Sequence, residues 1–165
     1  MMKAHVWTNF FYILAGLACY ILNAPLYVFY AFATLGILSW YSHEASERIQ
    51  GELIWYPDHF GMYIAFSAII SHVSGVPELG ILALGCSFII HFALNMYITV
   101  GFLFALSFTF FGINHSLWQT ALIGLLFGGG LLLQRLGHSN RKLNNILHSG
   151  WHLLTAIAMS LMILL

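Results

Sequence analysis

Apolar residues fill this chain in long runs, and short polar clusters interrupt the runs at nearly regular intervals. A membrane-crossing helix needs roughly 20 mostly apolar residues, with about 17 as a short limit, and seven spans of that kind fit the pattern. The first is expected over 6–22 and stops at Asn23-Ala24-Pro25, where proline suits a new helix start. The second is predicted over 26–43. A polar loop with Glu44, Glu47, Arg48 and Glu52 follows, then Trp55-Tyr56 as an interfacial belt. The third span opens at Asp58 and runs to 73, closed by Ser74-Gly75-Val76-Pro77. The fourth, 78–92, and the fifth, 96–111, are separated only by a tight turn near Asn95. The sixth covers 117–136, with Gly128-Gly129-Gly130 allowing close helix contact or a kink. The seventh covers 143–165.

Composition supports the pattern. The 165 residues are 61% hydrophobic and 6% charged, where a soluble domain carries about 25% charged residues. The expected fold class is an all-α polytopic membrane protein, a single seven-transmembrane-helix domain over 1–165. The formal net charge is zero, so the chain has no basic footprint for nucleic acid. Cys19 and Cys86 sit in apolar runs and suggest buried thiols, not a disulfide framework. The N-terminal run resembles a signal peptide, but Gly16 occupies the position where a lipoprotein signal needs a large aliphatic residue; a retained first helix is expected. With seven spans, Lys3, Arg48, Arg135, Arg141 and Lys142 all fall on one side, which the positive-inside rule makes cytoplasmic. The N-terminus is thus expected inside and the C-terminus outside.

The polar residues within the runs carry the candidate chemistry. Of nine histidines, only His148 and His152 stand at i and i+4, on one face of a helix. Ser39 and His43 repeat that spacing at the cytoplasmic end of the second span, and Asp58 opens the third on the same side. Three imidazoles with an open coordination position make a catalytic zinc site. Zinc lowers the pKa of a bound water to about 7, Asp58 is placed as general base, and Ser39 as a hydroxyl that steadies an oxyanion. Each residue also has a plainer use. The histidine pair suits interhelical hydrogen bonds, His43 beside Glu44 suits a helix end at the interface, and Asp58 after Pro57 suits an N-cap. His59 points about 100° away from Asp58 around the helix and is left outside the expected metal shell. His72 and His115 are expected toward the far side, as the one pair there that a haem would use.

The order Ser39-x-x-x-His43, an aspartate opening the next helix, then His148-x-x-x-His152 in the last helix resembles the CREST superfamily. That group comprises alkaline ceramidases, progestin and adipoQ receptors and hemolysin-III-like proteins. Asp58-His59-Phe60-Gly61-Met62-Tyr63 is similar to the start of helix three in the receptor and hemolysin-III branch, and His148-Ser149-Gly150-Trp151-His152-Leu153-Leu154-Thr155 is similar to the last-helix motif of the ceramidases. The resemblance implies Zn2+ held by His43, His148 and His152, with Asp58 and Ser39 beside the water. It implies hydrolysis of the amide bond of a ceramide-like membrane lipid, or, in the receptor branch, a non-catalytic protein that keeps zinc for structure. Ser42 stands where the receptors have tyrosine, and the first 43 residues contain no Asp or Glu, so the calcium-binding region of the ceramidases does not carry over.

Overall fold

The computed structural model describes residues 7–48, 56–139 and 143–165. These residues form seven helices and no strand: α1 (Phe10–Ile21), α2 (Leu26–Arg48), α3 (Tyr56–Ser74), α4 (Pro77–Ala93), α5 (Met96–Asn114), α6 (Leu117–Ser139) and α7 (Asn144–Leu164). Each expected span contains or becomes one helix. Of the five basic residues, Lys3, Arg141 and Lys142 lie outside the described residues, whereas Arg48 closes α2 and Arg135 sits near the end of α6.

Local chemistry sets the boundaries. Asn23 adopts φ 70°, and Ala24 N–H bonds back to the Cys19 carbonyl at 2.9 Å. This is the closing loop in which a left-handed residue ends a helix and satisfies its last carbonyls. Gly75, at φ 68°, ends α3 in the same left-handed region, and Pro77 starts α4, where its missing N–H costs nothing. The turn near Asn95 is a true break: the Asn95 side chain accepts from Ile98 N–H at 2.9 Å and caps α5. Ser116 and Gln119 form a reciprocal capping box at the start of α6, with Ser116 N–H donating to Gln119 Oε1 at 2.9 Å. Asp58 lies in the first turn of α3, two residues inside its start, so it is not the N-cap. Its own N–H is satisfied across the bundle by Ser42 Oγ of α2, at 3.0 Å.

Helix α3 is the hub and packs against α2, α4, α5 and α7. Its Phe66 meets Phe104 of α5 and Phe127 of α6, which stack on each other with centroids 3.8 Å apart. α1 packs on α2 and closes onto α7, and α6 pairs with α7. Gly130 permits that last pairing: a Cβ there would meet the Trp151 ring at 2.9 Å. α6 runs through Gly128–Gly130 without interruption. Among the described residues two helices, Leu117–Gly137 and Asn144–Leu164, are long and apolar enough to cross a membrane.

Polarity is distributed inside out. Asn9, Ser39, Ser42, His43, Thr99, Ser107 and His152 are buried, while Leu117 and Trp118 are 81% and 85% exposed. Several interior hydroxyls bond to the carbonyl one turn back in their own helix, as Ser87 does to Ala83 and Ser107 to Leu103, so they add no unpaired polar group to the interior.

Candidate metal centre

The three expected histidines converge. His43 of α2 and His148 and His152 of α7 offer ring nitrogens that all lie within 4.8 Å of one another. Ring centroids are 5.0 Å apart for His43 and His148, 5.3 Å for His43 and His152, and 4.6 Å for His148 and His152. The helical i,i+4 spacing supplies two of the three, and the close contact of the bundle brings α2 against them. His43 and His152 are each only 2% exposed. Residues on two helices, 105 positions apart in sequence, thus place three imidazoles around one point.

The donor set fits a metal ion. Neutral imidazole suits zinc, copper, iron and nickel, and three of them leave a coordination position open. Closing around an ion about 2.1 Å from each nitrogen would narrow the observed spread. His152 also has the outer partner that a ligating histidine ordinarily keeps. Thr8 Oγ1 lies 3.1 Å from His152 Nδ1; with Nδ1 carrying the proton and donating to Thr8, Nε2 is left as the ligand atom.

Ser39 and Asp58 stand on the same cavity wall as the histidines. Ser39 is buried, and its Oγ donates to Asn9 Oδ1 at 2.6 Å. The Asp58 carboxyl lies beside the Ser39 hydroxyl and next to His59. Ser39 has a single proton and two acceptors near it, so it serves Asn9 and Asp58 one at a time. Asn9 is the residue preceding α1, but its side chain does not cap that helix; it is spent on Ser39.

The wall encloses a cavity of about 590 Å³, within the usual range for a small-ligand site. Its polar lining is the three histidines, Ser39, Asp58, His59 and Gln134, and its apolar lining includes Met62, Val100, Phe104, Phe127, Leu131 and Trp151. Trp151 is buried, packs edge-on against Phe127 with centroids 5.7 Å apart, and fills the space between the two α7 histidines and α6.

Three residues near the site escape a reading from sequence. Thr8 and Asn9 carry no pattern, and their partners lie 144 and 30 positions away. Gln134 reads as an ordinary polar residue near a helix end. His59, left outside the expected metal shell, is not among the three clustered histidines, though it lines the wider cavity. The far histidines occupy the other end of the bundle. His72 Nε2 donates to the Ile163 carbonyl at 3.0 Å, tying the end of α3 to the end of α7, and His115 stacks on Phe111 with centroids 3.9 Å apart.

Compared with protein-family models, with curated proteins and with solved structures, the chain matches none.

Proposed function

We propose that the chain is a seven-span membrane protein, N-terminus cytoplasmic, that uses Zn2+ to hydrolyse the amide bond of a long-chain N-acylated lipid of ceramide type. The observation that carries this reading is the three-histidine cluster in the wall of a cavity that is otherwise lined largely by apolar side chains. Exposed apolar side chains around buried polar ones support the membrane setting. Arg48 and Arg135 lie at the same end of the bundle as the histidines, and the positive-inside rule supports reading that end as cytoplasmic.

His43, His148 and His152 would hold the ion, which supplies Lewis acidity and an acidified water when bound. Asp58 accepts the water proton and passes it to the amine nitrogen as the C–N bond breaks, so amide and water become fatty acid and free amine. Ser39, turned from Asn9 toward the substrate, donates a hydrogen bond to the carbonyl oxygen as charge builds there. Phe104, Phe127 and Leu131 line the place for the acyl chain and keep bulk water from the reacting bond.

Elemental analysis of purified protein tests the metal first. One zinc per chain is expected, lost on His148→Ala with His152→Ala; zinc that survives both substitutions overturns the site. Mass spectrometry of a panel of ceramides and other N-acyl lipids incubated with the zinc-loaded protein then tests the reaction. Release of free fatty acid, abolished by Asp58→Asn, is expected. A zinc-bound protein that releases none is a binding protein, and the hydrolase reading falls.

A further inference from the structure

The end of the bundle away from the three clustered histidines holds a second cavity, of about 430 Å³. Its wall is built by His72 near the end of α3, Asn114 and His115 at the end of α5, and residues 162–164 of α7. The three nitrogen-bearing side chains have spent their donors on backbone carbonyls. His72 Nε2 donates to the Ile163 carbonyl at 3.0 Å, and His115 Nδ1 to the Phe111 carbonyl at 2.8 Å. Each bond fixes the ring proton, so in the neutral rings His72 Nδ1 and His115 Nε2 keep only a lone pair. The Asn114 amide gives one hydrogen to the Val73 carbonyl and the other to the Phe110 carbonyl, both at 3.1 Å, and keeps its Oδ1. Among the described residues nothing donates to these three atoms, and neither ring nitrogen is sealed from solvent. Ser74, also in the wall, is occupied locally with the backbone of Val76.

Tying helix ends together needs only the donors of these side chains; it leaves three acceptors on one cavity without a donor. α3 and α5 also end here, and the carbonyl end of a helix carries partial negative charge that favours a cation. The complementary ligand therefore donates, accepts nothing and is positive. A bare metal ion fits less well: it would draw both imidazoles to about 2.1 Å, whereas the His72 and His115 rings make no contact with each other. A primary ammonium has three N–H donors and no acceptor, one for each open atom. We propose that this cavity binds a primary ammonium group at His72 Nδ1, His115 Nε2 and Asn114 Oδ1, borne either by an amino-lipid head or by a small soluble amine. The site lies apart from the zinc centre and stands whether or not the chain hydrolyses lipids.

The test uses a methylation series. Native mass spectrometry of the full chain in detergent compares dioleoyl phosphatidylethanolamine, its N-methyl and N,N-dimethyl forms, and the choline lipid, which share chains and phosphate and differ only in N–H count. Binding should weaken along the series, with the ethanolamine lipid held about tenfold tighter than the choline lipid. Butylammonium against tetramethylammonium, followed by NMR of the histidine rings, puts the same question to soluble amines. A preference for N–H in either series supports the site, and the series that shows it identifies the source. His115→Phe keeps a ring to stack on Phe111 and removes one acceptor; it should cut the preference about fivefold with zinc content unchanged. His72→Phe should do the same, and the wild-type series decides even where that variant does not fold. Equal binding across both series, or a preference that His115→Phe retains in full, overturns the site.

Discussion

Thr8 is the smallest part of the site with a measurable role. Its hydroxyl is the partner of His152 Nδ1, and an outer partner of this kind fixes which ring nitrogen faces the metal. Thr8→Val keeps the shape and removes the acceptor. Zinc affinity, measured by chelator competition, should fall about tenfold to a hundredfold, and Thr8→Ser should restore most of it; unchanged affinity in the valine variant would show that His152 needs no such support. Asn9 acts on Ser39 instead. Asn9→Leu removes one of the two acceptors of a buried hydroxyl and leaves Ser39 to Asp58, at a cost of about 0.5–1.5 kcal/mol in stability, read as a lower melting temperature with zinc content preserved. These two residues also mark where the sequence stops being informative. His43, His148, His152, Ser39 and Asp58 stand out because ionisable and hydroxyl groups at helical spacing are unusual in apolar runs. A threonine and an asparagine before the first helix are ordinary until tertiary packing brings α1 against α2 and α7.

At the scale of helices, punctuation in the sequence was legible and lengths were less so. Asn23, Gly75-Val76-Pro77 and Asn95 all mark real ends, because each end needs a particular backbone conformation or cap. α2 continues to Arg48 and α5 to Asn114, past the apolar runs that suggested their ends; backbone hydrogen bonding continues through polar residues, and hydropathy sees only the apolar part. The glycine run of α6 allowed either a kink or close contact, and packing settles it as contact. Gly130 faces the Trp151 ring, whereas a Cβ on Gly128 would meet nothing within 4 Å. Gly130→Val should therefore push α6 from α7 and destabilise the protein by about 1–3 kcal/mol. It should also weaken zinc binding, because Trp151 lies between His148 and His152 in sequence and shifts their helix. Gly128→Ala serves as the control and should change neither; equal thermal stability of the two variants would remove Gly130 from the account of the site.

The whole molecule joins a buried polar site to an apolar exterior, and on the proposed reading a lipid substrate would pass from one to the other. Among helices consecutive in the chain, α5 and α6 touch each other least, yet both line the cavity, through Val100, Gly101 and Phe104 on one side and Phe127, Leu131 and Gln134 on the other. A sparse contact between two cavity walls is the cheapest place to admit an acyl chain from the side, since little packing has to be broken. Gly101 is exposed and lines the cavity, and a Cβ there meets nothing within 4 Å. Bulk at this position should therefore leave the fold intact and obstruct the passage. Gly101→Trp is expected to keep one zinc per chain and an unchanged melting temperature while lowering fatty-acid release about tenfold or more, because a chain held even about 1 Å out of place reacts far more slowly. Gly101→Ala should behave as wild type. Normal turnover in the tryptophan variant would move the entrance to another pair of helices, while joint loss of zinc and turnover would mean that the α5–α6 seam supports the metal site as well as opening toward it.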